Sequence, residues 1–440
     1  MTHQPYPKYR ASGIQWLGEV PEHWEVKRLK TSVTYRVSSV DKLFKENELP
    51  VKLCNYTDVY YNDFITKDMS FMEATATPEE IHRFSLRVHD IVITKDSEDW
   101  RDIAVPAYIE STAPDIVCGY HLAIISPNLN QLDGKYLLRC FQSNLINQQF
   151  QVMAGGVTRF GLPKSAIGNA IFPIPPKEEQ TAIADFLDRE TGRIDTLVAK
   201  NKKLIELLKE ERSALISRTV TRGLPKDAAI EYGFEPHTRF KESGVEWLGE
   251  VPEDWAVVSL RHLFKIKAGG DLKEEFYNEE KTTKYPYPIY TNSIKSDDAY
   301  GFSSKPFFKS NTITVTGRGE IGYATYRDHA FDAIIRLLVL TPQNNAPCKY
   351  FAYFINSMLV FFGGSTAVSQ LSTEQISPYK VFSPSLPEQQ IIADFLDRET
   401  AKIDKLIEKI QMLVTRLQEY RIAIITDAVT GKIDVREMAA

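Results

Sequence analysis

One stretch of this chain occurs twice and sets the layout of the rest. Residues 183–191 read IADFLDRET, and residues 392–400 read IADFLDRET again. Nine identical residues 209 positions apart mark an internal duplication, and residues 192–224 continue the alignment on 401–433 without a gap. Both copies are rich in Leu, Ile, Lys, Glu and Arg with no internal Pro, which predicts helices. Their apolar spacing alternates three and four. In the second copy Leu396, Ile403, Leu406, Ile410, Leu413, Leu417, Tyr420 and Ile424 form one seam. In the first copy Leu187, Ile194, Leu197, Leu204, Leu208 and Leu215 hold the equivalent places, with Asn201 and Glu211 as polar interruptions. A stripe this narrow is a coiled-coil seam rather than a globular core face. Each run covers about 39 residues, so at roughly 1.5 Å per residue each helix should be about 58 Å long. A lone seam would stay exposed and invite association, so the two helices are expected to pair with each other. Asn201 has two readings: it fixes the register of the pair, or it sits where the seam is wet.

A second block is also repeated. Residues 12–24, SGIQWLGEVPEHW, match residues 243–255, SGVEWLGEVPEDW, at ten of thirteen positions. The order is block, variable region, long helix, connector, then the same again, a tandem duplication with a large unit. Residues 31–178 show no clear match to 261–387, so two copies of one job with different specificities are expected. The expected layout is a first domain at 1–178, a first long helix at 179–220, a linker at 221–242, a second domain at 243–387, a second long helix at 388–433 and a tail at 434–440.

A length of 440 residues suits two to four domains. Hydrophobic content of 43% with 25% charged residues is that of a soluble globular protein. No apolar run reaches transmembrane length and the first ten residues lack a signal-peptide core, which predicts a cytoplasmic protein. Cys54, Cys118, Cys140 and Cys348 are scattered with no C-x-x-C pair, which argues for buried thiols over zinc or disulfides. Net charge is −5, which does not advertise a nucleic-acid binder, although a basic face depends on distribution rather than on the sum.

Both variable regions read as mixed α/β. Residues 90–94 and 121–125 are strand candidates, and 132–152 has helical character. A glycine-containing loop follows at 154–167. The second region has a strand candidate at 312–316, a turn GRGEIG at 317–322, an apolar run at 334–340, a helix candidate at 350–362 and a loop at 363–376. The connector at 221–242 carries turn residues and little pattern, as an extended linker would.

No residue pattern points to catalysis. GRGEIG fits the dinucleotide fingerprint G-x-G-x-x-G, but no amphipathic helix opens at its third glycine, so a tight turn that brings Arg318 near a ligand is the better reading. Phosphate-loop and H-E-x-x-H zinc motifs are absent, and no metal site is expected. Polar and basic residues on the loops remain as binding candidates. In the first half these are Lys95, Ser97, Trp100, Arg101, Thr158, Arg159, Phe160 and Lys164. In the second they are Arg318, Tyr323, Ser365, Thr366, Ser369 and Gln370. Arg reads guanine edges bidentately, Gln reads adenine, and Lys, Ser and Thr grip phosphates. Ordinary surface-loop residues would look the same. Residues 261–387 hold 14 Lys/Arg against 11 Asp/Glu, whereas 31–178 hold 14 against 18.

The repeated helix ADFLDRETxxIDxL at 184–197 and 393–406 follows the turns PKEEQ at 176–180 and PEQQ at 387–390. Together with the WLGEVPxxW blocks at 16–24 and 247–255, it resembles the specificity (S) subunit of type I restriction-modification systems, the HsdS family. ITKDSE at 93–98, GVTRFGL at 156–162 and GRGEIG resemble recognition-domain motifs of that family. The resemblance implies two globular α/β (α+β) target-recognition domains joined by two long helices. It implies that each domain reads one half of a split, asymmetric site in double-stranded DNA, and that the chain is not itself an enzyme. The paired helices would set the gap between half-sites and dock two methyltransferase (M) subunits that use S-adenosylmethionine to methylate adenine. Restriction (R) subunits would join with ATP and magnesium. Two readers facing one duplex also favour a pseudo-two-fold arrangement with antiparallel helices. Two other readings stay open: a coiled-coil adaptor that binds proteins, which the acidic balance favours, and a nucleotide-binding enzyme built on GRGEIG.

Overall fold

Two regions with no clear sequence match fold on the same plan. The computed structural model describes residues 4–295, 297–344, 346–359 and 370–436. In the first half, strands Val33–Val37, Leu122–Pro127, Ile91–Thr94, Pro106–Ile109 and Phe64–Ile65 lie side by side in that order. In the second half the order is Phe264–Ala268, Leu338–Pro342, Thr312–Val315 and Ala324–Arg327. All the neighbours shared by the two sheets pair antiparallel. A smaller sheet repeats too. Leu49–Cys54 lies between Ile116–Cys118, parallel, and Met72–Ala76, antiparallel. Tyr287–Tyr290 lies between Asp332–Ala333, parallel, and Ala299–Ser303, antiparallel. Every residue of Ile91–Thr94 and of Thr312–Val315 is buried, as a strand covered on both faces requires. Such strands need apolar or β-branched residues, not particular ones, so the plan persists where the sequences have parted.

The chain divides into two compact units, Met1–Lys202 with Met412–Ala440, and Lys203–Gln411. The long helices run Lys177–Arg222 and Leu386–Val429, 46 and 44 residues. Each begins two residues before the expected start, because the PKEEQ and PEQQ turns are the first helical turns themselves; the first runs to 222 rather than 220, and the second ends at 429, short of 433.

The repeated sequences fasten each domain to its helix. In the first unit the buried Glu179 accepts from Trp24 Nε1 at 2.9 Å and from the Tyr6 hydroxyl, and its other oxygen lies 2.8 Å from His23 Nε2. Burial, reinforced by this carboxylate, pushes the Tyr6 phenol well above its usual range. In the second unit Glu388 accepts from Trp255 Nε1 at 3.1 Å and lies 2.6 Å from His237 Nε2. Thus the tryptophan ending each WLGEVPxxW block is held by the glutamate opening each helix. Further along, Asp188 holds Lys135 and Arg139, and Asp397 holds Lys349 and Tyr353. The IADFLDRET repeat is the socket for a helix of the variable domain.

Within each unit the helix segments pair antiparallel. Arg421 donates to Asp195 at 2.9 Å and to Asp63 at 2.6 Å in the first unit. Arg212 donates twice to Asp404, at 2.8 and 3.2 Å, in the second. The 209-residue repeat carries Asp195 onto Asp404 and Arg212 onto Arg421, so each unit holds the duplicate of the other's ion pair. Arg421→Ala should cost about 1.5–3 kcal/mol, since its side chain is 20% exposed and serves two carboxylates. Arg212→Ala should cost under about 1 kcal/mol, since its partner Asp404 is half exposed. Urea titrations of the two variants would compare them directly.

The seam differs from expectation on one side. Leu187, Ile194, Leu208, Leu396, Ile410 and Ile424 are buried, and Leu215, Ile403 and Leu417 are half-buried. Leu197, Leu204, Leu406, Leu413 and Tyr420, expected in the seam, are exposed by 42–46%. Ile205, Ile407 and Val414, one residue further on, are buried instead. Residues three and four past each first heptad position lie on opposite flanks of the stripe, and here the partner helix covers the four-step flank. Asn201 is half-buried and its amide donates to Leu197 O on its own helix at 2.8 Å, not across the pair.

Three other expectations change. The helix at 132–152 is two, Gly134–Gln142 and Asn144–Met153, broken at the buried Ser143, whose hydroxyl bonds Thr426. The connector is not wholly extended: it holds the helix Lys226–Glu231, and Leu224, Ala228 and Ala229 enter the core of the second unit. The run at 334–340 is a strand, Leu338–Pro342, preceded by a tight turn. No helix among the described residues is long and apolar enough to cross a membrane.

Candidate nucleic-acid interface

The same three loops gather at one end of the main sheet in each unit. One joins Ile91–Thr94 to Pro106–Ile109, or Thr312–Val315 to Ala324–Arg327; one precedes Leu122–Pro127, or Leu338–Pro342; and one precedes the short helix Lys164–Asn169, or Thr373–Ile376.

In the first unit these are residues 95–105, 119–121 and 154–163. Phe160–Gly161 pairs antiparallel with Asp96–Ser97, which brings the first and third loops together. Lys95 Nζ lies 2.6 Å from Asp96 Oδ1, and Asp96 also contacts His121 Nδ1 at 3.2 Å. Arg159 donates to His121 Nε2 at 2.7 Å. Burial lowers the His121 pKa against the opposing Asp96 hydrogen bond, and the Arg159 charge adds to the fall, which favours the ring form that accepts from the guanidinium. Ser97 is buried and its hydroxyl meets Tyr56 at 3.2 Å. Arg101 is exposed and grips Asp99 with two nitrogens, which holds that carboxyl down at about 2. Trp100 and Thr158 are exposed and Phe160 is half-buried. Lys164 sits instead over the Tyr35 ring, 5.9 Å from its centroid. Tyr56 and Tyr60, stacked at 5.5 Å, line a cleft together with Asp96, Ser97, His121 and Arg159. Lys95 and Arg101 thus stand in salt bridges beside an acidic, aromatic cleft, which Arg159 lines while bonded to His121.

In the second unit the loops are residues 316–323, 334–337 and 370–372. GRGEIG joins two antiparallel strands, so no helix follows it and the dinucleotide reading fails on context. Arg318 bridges through its backbone to Gln370. Its Nε is buried without a hydrogen-bond partner among the described residues. Tyr323 is exposed. Ser365, Thr366 and Ser369 lie outside the described residues.

The second loop of this unit was not legible in the sequence. Ile335 and Arg336 both have positive φ, 52° and 59°, and Leu337 N donates to Ile334 O at 3.2 Å. Two left-handed central residues define a type I′ turn, which favours Asn-Gly. Each non-glycine residue there costs roughly 1–2 kcal/mol, and a β-branched isoleucine is the more unusual. The turn is clamped. Ile335 N donates to Gly270 O, Arg336 N to Gly269 O, and Gly269 N to Leu337 O. A side chain at Gly269 would come within 2.5 Å of Ala333 O. Asn292 donates to Ile335 O at 2.7 Å while its oxygen accepts from Gly317 N and Arg318 N, tying this turn to the GRGEIG loop. Its sequence, IIRL, looks like the start of a strand, and only the backbone angles set it apart. His121, Tyr56 and Asn292 were missed as well, because their role comes from contacts distant in sequence.

The family described as the type I restriction modification DNA specificity domain matches residues 21–207 and 252–416. The chain belongs to that family. A Methanocaldococcus jannaschii protein described as the MjaX type I restriction enzyme specificity subunit is 24% identical over 96% of each chain. The MjaVIII specificity subunit of the same organism is 23% identical over 95% of each. A chain from a structure of type I R-M complex assembly matches with a TM-score of 0.66 at 16% identity, over 94% of this chain and 99% of that one. The HsdS subunit of Thermoanaerobacter tengcongensis matches with a TM-score of 0.52 at 17% identity, over 94% and 98%. The role is DNA sequence specificity within a type I restriction-modification system.

Proposed function

We propose that each variable domain reads one half of a bipartite, asymmetric duplex site, and that the chain directs adenine methylation by partner subunits without catalysing it. One observation supports this most: two domains with the same sheet order carry different residues on the same three loops. A shared scaffold with divergent loop tips suits two readers of unlike sequences. The domain limits given from the sequence, at 1–178 and 243–387, are proposed with it, as are the loop residues Lys95, Ser97, Trp100, Arg101, Thr158, Arg159, Phe160, Lys164, Arg318, Tyr323 and Gln370.

Two M subunits fit the helices. The duplication carries exposed Leu197 onto exposed Leu406, and exposed Leu204 onto exposed Leu413. Apolar residues left uncovered at equivalent places suit two copies of one partner. R subunits would join that assembly for cleavage, and S-adenosylmethionine, ATP and magnesium would belong to the partners. Lys95 and Arg101 are already engaged by Asp96 and Asp99, so the partners would also supply much of the phosphate grip. This fits a net charge of −5.

The test is to express the chain with its methyltransferase subunit and map methylated adenines in host DNA. A single bipartite motif with a fixed gap is expected. Replacing residues 31–178 with the corresponding region of another specificity subunit should change one half of the motif and leave the other and the gap intact. A stable complex that methylates nothing would favour the protein adaptor instead.

A further inference from the structure

We propose that the turn Ile335–Arg336 is the base-reading element of the second domain, with Arg336 reaching a guanine edge and Ile335 making the adjoining apolar contact. The inference rests on the DNA-reading role proposed above.

Ile335 and Arg336 stand out in a buried setting. Ala333, Ile334, Leu337 and Leu338 are each 1% exposed, whereas Ile335 is 46% exposed and Arg336 is exposed beside it. An exposed isoleucine held left-handed contributes nothing to the core, and the sequence lacks the Asn-Gly that would form this turn without strain. Strain of this kind persists where surrounding structure over-determines it, and it concentrates at binding sites. Here the surroundings are Gly269, Gly270 and Asn292, whose bonds fix the backbone on both sides of the turn. The two side chains project from a rigid knuckle rather than a soft loop tip. A side chain anchored this way loses little freedom on binding.

The position supports the same reading. The turn precedes the strand Leu338–Pro342, as Tyr120–His121 precedes Leu122–Pro127 in the first unit, and each strand is second in its sheet order. His121 holds Arg159 there, so both units carry an arginine associated with this loop. Asn292 couples the turn to the backbone of Gly317 and Arg318, which fastens this loop to the GRGEIG loop. Arginine forks match guanine O6 and N7 bidentately, and apolar side chains contact the thymine methyl.

The experiment maps methylated adenines with the chain in complex with its methyltransferase subunit, comparing wild type, Arg336→Lys, and the double variant Ile335→Asn with Arg336→Gly. Lysine keeps the charge but loses the fork. The proposal expects Arg336→Lys to reduce discrimination about tenfold or more at one position of the second half-site, with the first half-site and gap unchanged. The double variant relieves the strained turn, so it should raise the thermal midpoint while relaxing the same half-site. That rise separates lost recognition from lost folding. A motif identical to wild type in both variants would overturn the proposal. So would a uniform fall in methylation with an unchanged motif, because that is the signature of a phosphate contact. If the wild-type complex itself yields no bipartite motif, the DNA-reading role has failed, not this assignment within it.

Discussion

Glu388→Ala should destabilise the second unit by about 3 kcal/mol or more. The carboxylate is 5% exposed and takes both the Trp255 indole N–H and the His237 imidazole. Alanine would leave a fully buried indole donor with no acceptor and a void beside it. Glu388→Gln keeps one oxygen for Trp255 and an amide group that can face His237, so its loss should be roughly half as large. The equivalent Glu179→Ala removes the partner of Tyr6, His23 and Trp24 together and should cost at least as much. Urea unfolding followed by tryptophan fluorescence would measure all three, because Trp24 and Trp255 are the reporters. A loss below about 1 kcal/mol in both alanine variants would mean that water replaces the carboxylate and that the clasp does not hold domain to helix. Domains are stable by only about 5–15 kcal/mol, so the expected loss is a large share of the whole.

Removing one heptad from each long helix, residues 201–207 and 409–415, should change the gap between the two DNA half-sites. Seven residues shorten a helix by about 10.5 Å, and duplex DNA advances about 34–36 Å per turn, so the change corresponds to about three base pairs. The deletion keeps both aspartate–arginine pairs, Asp195 with Arg421 and Asp404 with Arg212. It also keeps the heptad phase, so the buried flank stays buried. Methylation mapping should therefore return the same two half-sites with a shorter gap. An unchanged gap would show that the helices do not set it.

Much of this was legible because duplication is visible without any structure. The identical blocks located the helices, and the strands at 91–94 and 312–315 were evident from apolar residues alone. The seam was half legible. Every first heptad position was named, but Leu204 and Ile205, Leu406 and Ile407, and Leu413 and Val414 offer adjacent apolar residues, so spacing could not decide which flank faces the partner. The common sheet order was hidden because buried strands accept any apolar residue of suitable shape. The functional loops were the least legible. Lys95 and Arg159 were singled out by residue type, yet His121, which links their surroundings, is an ordinary histidine until the fold brings it near. Ile335 and Arg336 were masked by a strand-like sequence, because the strain that marks them is a backbone property with no residue signature.

The clustering of the chain has a consequence for its synthesis. The second unit is one continuous segment, Lys203–Gln411, inserted within the first, whose parts lie on either side of it. Ile424, Ile425, Ala428, Val429 and Val435 pack in the same cluster as Trp24 and Phe172. The Tyr9 hydroxyl bonds Gly431 O across 422 positions of sequence. As the chain leaves the ribosome, the part of the first unit before Lys203 must therefore wait, its apolar surface incompletely covered, until Met412 to Val435 follow. The nested segment can close before it. Contacts this distant in sequence form slowly, so translation rate and chaperone access should govern yield more at the first unit than at the second.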